Sequence, residues 1–319
     1  MKILAFAFLL FLPPDYQTGA GLNDAIQLYQ KGEFKQAVNL LQQLSTKSPD
    51  DADVRLWLGK SYLKTRDWDN AVQEIEKTTQ LQPDNAKNHL WLGRAWGARA
   101  AHSFFVKGIK LAGRVLKEFE TARKLSPENL EVRFDLLDFY LNAPGIVGGG
   151  RDKASAEVQA IAKLDPRKGY NARAQVFIKD KKWDLAKKEL IQATINYPSD
   201  ADAHKDVAEF LLDRRDFGGA LQYAKEALAL DNDSKRTRLI VAAAGIQLRT
   251  DLDSSAKTLT NLASGPLSDD DPPFEEVYFW LGEYYLAKGD KQKAREALAS
   301  AIAFNPEYDK AKENISKLR

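Results

Sequence analysis

Two stretches of this chain are near-copies of each other: Arg55 opens RLWLGKSYL and His89 opens HLWLGRAWG. Trp57 and Trp91, Gly59 and Gly93, and Pro49 and Pro83 are each 34 residues apart, as are Ala37 and Ala71, and Ala186 and Ala220. A further copy, VYFWLGEYYLAKGDKQKAREALASAIAFNPE, starts at Val277. A fixed period constrains a fold more than any single motif, because each unit has to bury its apolar face against neighbours of the same shape. Apolar residues recur at threes and fours within each unit, which predicts two short helices per unit. Small Gly and Ala positions let them pack closely, and Pro closes the second.

These segments resemble the tetratricopeptide repeat, marked by a bulky residue, Leu-Gly, an aromatic, two separated alanines and a closing Pro. The copy near Ala52 has Leu58-Gly59, Tyr62, Ala71 and Pro83, with Thr78 where the second alanine is expected. The copy near Glu275 has Tyr278, Leu281-Gly282, Tyr285, Ala294, Ala301 and Pro306. The resemblance implies an all-α fold, a right-handed superhelical solenoid of about eight helix-turn-helix units with a long concave groove. The units are placed at about 21-51, 52-85, 86-129, 130-166, 167-200, 201-234, 235-274 and 275-308, and residues 309-319 form a polar-faced capping helix.

Three units depart from the pattern. The third is longer, and Phe105, Ile109, Ala112, Leu116, Phe119 and Ala122 keep helical spacing through the extra residues, so its helices gain roughly two or three turns. The fourth carries PGIVGGGRDKA, in which Gly145 and Gly150 have the spacing of a phosphate-cradling loop. A nucleotide loop needs a preceding strand, a Lys and a hydroxyl; here a helix precedes, and Arg151 and Asp152 stand in their place. Aligned on Ala154, the stretch is instead a lengthened turn between the two helices, with Asp152 expected as N-cap. Anion capture by its backbone amides is the weaker alternative. The seventh unit ends in ASGPLSDDDPP, residues 263-273, which reads as a solvated hinge without the alternating ligands of a calcium loop.

With no cysteine, the chain has no thiolate metal site, disulfide or cysteine nucleophile. Met1 and Lys2 lead into ILAFAFLLFL, an apolar run with the length of an export-signal core and too short to span a bilayer, and TGA at 18-20 offers a cleavage point. Residues 1-20 therefore read as a signal peptide, which places the protein in the periplasm or cell envelope. The net charge of +2 gives no global reason to bind nucleic acid. Between Lys87 and Pro198, however, 21 Lys and Arg face 12 Asp and Glu. Lys107, Lys110, Arg114 and Lys117 recur there at helical spacing as a basic stripe, either a solvated face or a seat for an acidic peptide or anionic membrane surface.

Family resemblance further implies that the second, fifth, sixth, ninth, twelfth and thirteenth places of a unit face the groove. Trp57, Lys60, Lys87, Trp91, Arg94, Phe134, Asp138 and Trp280 occupy such places. The tryptophans either brace neighbouring helices or offer aromatic surface to a bound chain. Lys60, Lys87 and Arg94 sit where some relatives clamp a terminal carboxylate, but Trp57 and Trp91 replace an expected asparagine of that clamp. His89 and His204 share one place in their units, where a packing residue is usual, and His102 is remote from both in sequence. No acid, base and nucleophile cluster, metal site or cofactor motif emerges. The sequence thus reads as a non-catalytic scaffold that binds protein or peptide in its groove, with Gly145, Gly148, Gly149, Gly150 and Arg151 forming a rim; its oligomeric state is not encoded in any recognisable way.

Overall fold

Helix starts are set by polar residues ahead of each apolar run. Asp51, Asp67, Asn85, Asn129, Asp165, Asp200, Asp216, Ser234 and Asp290 each place a side-chain oxygen on an amide of the following first turn. Those amides have no partner inside the helix. The computed structural model describes residues 14–318, and side chains from residue 21 apart from Phe105. The export segment expected at 1-20 falls outside them, except for the backbone of residues 14–20.

Among the described residues there are seventeen α-helices and no strand. They follow in pairs: α1 (Pro14–Gln30) and α2 (Phe34–Lys47), α3 (Ala52–Lys64) and α4 (Trp68–Leu81), α5 (Ala86–Ala101) and α6 (Phe105–Leu125), α7 (Leu130–Asn142) and α8 (Arg151–Leu164). Then come α9 (Pro166–Lys179) and α10 (Trp183–Asn196), α11 (Ala201–Asp213) and α12 (Phe217–Leu230), α13 (Lys235–Leu248) and α14 (Leu252–Ser264), α15 (Phe274–Ala287) and α16 (Lys291–Phe304), and a final α17 (Asp309–Ser316) packed on α16. The chain divides into two compact units, Met1–Asp84 and Asn85–Arg319.

The Leu-Gly signature has a direct packing cause. A Cβ on Gly59 would stand 2.3 Å from Ile75 Cγ1, one on Gly93 2.5 Å from the Phe119 ring, and one on Gly282 2.7 Å from Leu298 Cγ. Each glycine lets the first helix of its pair approach a bulky side chain of the second. In the first compact unit, Ala25, Tyr29, Leu41, Val54, Leu58 and Ala71 form the core. In the second, Leu90, Leu136, Leu137, Ile161, Leu239, Ile240 and Leu298 are fully buried.

The turn inside most pairs is also shared. Gly32, Arg66, Lys181, Arg215 and Gly289 have φ between 58° and 81°. The amide after each bonds a carbonyl five residues back: Glu33 to Leu28, Asp67 to Tyr62, Lys182 to Phe177, Asp216 to Leu211 and Asp290 to Tyr285.

In the third pair, α5 has 16 residues and α6 has 21, against 13 and 14 in α3 and α4. The 263–273 stretch is not the free hinge its composition suggests. Asp271 accepts from the Ser268 amide at 2.8 Å, the Ser268 hydroxyl at 2.9 Å and Lys235 Nζ at 2.9 Å, while Leu267 and Pro272 are buried. Burial pushes the Asp271 carboxyl up, but these donors together hold it below its ordinary range.

Candidate binding surfaces

In the first compact unit, Trp57 serves as a brace. Its ring meets Tyr29 edge to face at 5.3 Å, and Lys60 Nζ lies 3.8 Å over it. Lys60 is only 4% exposed, so it is a cation held against aromatic faces and does not present its charge to a ligand. Trp280, in the second unit, is likewise buried at 8% and packs edge to face on Phe279. Lys60 thus corrects the expectation of an open groove cation, while for Trp57 and Trp280 the bracing alternative is the one observed. Trp91, Arg94 and Phe134 are half-buried, and Lys87 and Asp138 are exposed.

Arg94 is paired: Nε donates to Asp135 at 2.6 Å and Nη1 meets Glu131 at 2.7 Å, with the guanidinium 5.0 Å over Trp91. Burial of Asp135 raises its carboxyl despite that partner. Further along, Arg167 on α9 reaches Asp202 and Asp206 on α11, both at 3.2 Å. Arg236 on α13 bridges Glu209 on α11 and Glu276 on α15. The first helices of these successive pairs are thus linked by arginine and carboxylate pairs.

Between α9, α10 and α11 this face opens into a cavity of about 400 Å³, bordered by Asn171, Gln175, Ile178, Trp183, Asp206 and Phe210 among others. Asp206 is pushed up to about 6 by burial, which outweighs the pull of Arg167 and Lys205. Sequence reasoning passed over these residues. The groove-place rule already selects Asn171, Gln175, Ile178 and Asp206, but none carries the repeated tryptophan that drew attention to the other units.

His89 and His204 are largely covered, as a packing role implies, and they also take part in a repeated polar contact. Arg55, Arg133, His204 and Arg238 each donate to the carbonyl six residues back, on Pro49, Pro127, Pro198 and Asn232. Three of them also engage a glutamate on the second helix of their own pair: Arg55 with Glu74 at 2.6 Å, Arg133 with Glu157 at 2.9 Å and His204 with Glu226 at 3.0 Å. His89 makes the matching contact with Glu118 at 2.7 Å. This place in the repeat carries a nitrogen donor, arginine or histidine, that ties the end of one unit to the body of the next. His102 Nε2 lies 3.0 Å from Glu307.

The glycine loop contains a single 3-10 turn, Gly145–Val147, and leans on α6. Four of its amides, those of the glycine run among them, are turned inward: Val147 and Gly149 bond Pro144 O, Gly148 bonds Gly145 O, and Gly150 bonds Tyr140 O at 2.9 Å. A phosphate cradle needs those donors pointing outward. Gly148 has φ +99°, and a Cβ on Gly149 would stand 1.9 Å from Ala143 O, so both positions require glycine. Gly150, not Asp152, is the N-cap of α8, and Asp152 lies in the first turn. Arg151 is paired with Asp180 and more than half exposed, Gly145 is exposed, and Lys153 Nζ donates to Gly148 O at 2.9 Å.

Lys107, Lys110, Arg114 and Lys117 are all exposed on α6, and the Arg114 guanidinium covers the Trp96 ring at 4.4 Å. Among the described residues no group of three or more His, Asp or Glu is placed to hold a metal ion.

Three sequence models described as tetratricopeptide repeat match residues 28–95, 171–235 and 275–314, together over half of the chain. No curated protein matches the chain. Yeast Tom70 has the same fold with a TM-score of 0.60 at 17% identity, covering 99% of this chain and 66% of its own. A thermophilic tetratricopeptide-repeat protein of Thermus thermophilus is 21% identical with a TM-score of 0.48, covering 61% of this chain and 99% of its own. Repeat sequence, paired helices and Leu-Gly packing agree with the three sequence models: the chain belongs to the tetratricopeptide-repeat family.

Proposed function

We propose that the protein is a non-catalytic scaffold that binds a protein or peptide segment along the first helices of its pairs. The observation that carries this reading is the open cavity between α9 and α11. Polar Asn171 and Gln175, apolar Ile178 and Phe210 and a buried carboxylate border a space large enough for side chains of an extended or helical segment. The neighbouring arginine and carboxylate pairs fix the helices around it, so the cavity is pre-formed. The apolar run at residues 3–12 supports export to the bacterial envelope as the setting in which a client is met.

The test is selection of phage-displayed peptides on the immobilised full chain, followed by affinity measurement on Ile178→Glu and Asn171→Ala variants. Selected peptides that lose at least about tenfold in affinity on Ile178→Glu support the site. Peptides that bind both variants as tightly as the wild type, or failure to select any, refute it.

A further inference from the structure

The exposed face of α6 combines two properties that the groove lacks. Lys107, Lys110, Arg114, Lys117 and Lys124 are all exposed. At about 100° per residue they fall within an arc of about 100° and run for about 25 Å along the helix. The opposite side of α6 is the packed one, where Leu111, Val115, Phe119 and Ala122 are buried. Both carboxylates of the helix lie outside the basic arc and are engaged elsewhere, Glu118 with His89 at 2.7 Å and Glu120 with the Tyr140 hydroxyl at 3.3 Å. None of the four lysines pairs with a carboxylate among the described residues.

Apolar side chains stand beside this row. Phe104, just before α6, is 91% exposed and Val106, in its first turn, is 79% exposed. Ile146, at 85%, projects from the glycine loop that leans on the same helix near Leu116. They are the most exposed large hydrophobic residues described. A soluble surface gains nothing from three such side chains held in water around one helix.

We infer that this face of α6 docks on an anionic lipid bilayer, with the lysines over the headgroups and Phe104, Val106 and Ile146 entering the acyl boundary. A straight row of cations without carboxylate partners, its Arg114 held over Trp96, suits a flat surface of diffuse negative charge, which needs no matched partner geometry. The apolar residues have no surrounding cavity and become buried only by entering an apolar phase. An acidic protein would satisfy the lysines and leave those three side chains unexplained. This surface is separate from the groove and does not depend on it.

Co-sedimentation of the full chain with phosphatidylcholine vesicles, with and without phosphatidylglycerol, tests the inference at low and high salt. Binding is expected only to the anionic vesicles and falls as salt rises. Lys107→Gln/Lys110→Gln/Lys117→Gln weakens it on the order of 100-fold, about fivefold per lysine. Phe104→Ser/Val106→Ser weakens it about tenfold or more. Both variants keep the wild-type circular-dichroism melt because the altered side chains are exposed, and comparison within one full-length background cancels any contribution of residues 1–20. Absence of low-salt binding, or equal binding to neutral vesicles, overturns the proposal. So does unchanged vesicle binding by Phe104→Ser/Val106→Ser alongside lysine-dependent binding of polyglutamate, which assigns the face to an acidic protein.

Discussion

The Gly150 amide donates to the Tyr140 carbonyl at 2.9 Å across ten residues, in the place where the other turns close the same bond across five. The fourth unit therefore carries five extra residues inserted into an otherwise standard turn, with its flanking helices in register on both sides.

That register makes two deletions of equal length behave differently. Removing residues 144–148 leaves Gly149 in the place that Gly32, Arg66, Lys181 and Arg215 occupy with positive φ. This variant is expected to unfold within about 1 kcal/mol of the wild type. Removing 145–149 leaves Pro144 there instead, and proline is locked near φ of about −65°. Urea unfolding should show a loss of at least about 2 kcal/mol for this second deletion. Equal stability of the two variants would contradict the assigned register.

His204 holds both Glu226 and the Pro198 carbonyl, the contacts that arginine makes at the same place in other units. His204→Arg is expected to retain wild-type stability. His204→Ala leaves both acceptors without this donor and should cost about 1–2 kcal/mol in chemical unfolding. If the arginine variant is as unstable as the alanine one, the place is not a shared donor clamp.

Asp206 holds its proton to about pH 6 in the folded protein because it is buried beside the cavity. An unfolded aspartate releases it near about 4. The folded state thus binds more protons between those values, and the contribution of Asp206 is full below about pH 4 and lost as pH rises to about 6. Relative to Asp206→Asn, the wild type should lose on the order of 2 kcal/mol across that window. Unfolding curves at about pH 4, 5, 6 and 7 measure it, and carbon-detected NMR should place the carboxyl midpoint near about 6. Parallel curves for the two proteins would show that burial does not control this group.

Gly93→Ala should destabilise the long third pair by about 1–3 kcal/mol, since the new methyl would stand 2.5 Å from the Phe119 ring. Adding Phe119→Leu should recover part of the loss. A second substitution that only adds its own cost would mean that the two positions are not in contact.

Much of the fold was legible because period and spacing act locally. Leu58-Gly59 and Leu281-Gly282 mark close helix approach, and Asp67 or Asp216 ahead of an aromatic marks a helix start. Other readings failed where a residue's surroundings come from distant sequence. Lys60 looks like a groove cation until Tyr29 and Trp57 are seen to enclose it. SDDDPP looks solvated until Lys235 is found on Asp271. The cavity at Asn171 and Asp206 has no signature in the sequence because it is formed by a gap between helices, and a gap leaves no motif. Alignment on Ala154 points to Asp152 as the cap of α8, whereas the folded loop brings Gly150 to that position.

The donors at Arg55, Arg133 and His204 have a consequence for how the chain comes apart. Each belongs to one unit but ends on a carbonyl close to the end of its predecessor, so neighbouring units hold a bond in common. Loss of one unit strips its neighbour of a donor as well as of apolar cover. Melting should therefore advance in blocks of several repeats with sharp boundaries, and hydrogen exchange should report those blocks as shared protection levels rather than a smooth gradient from the ends.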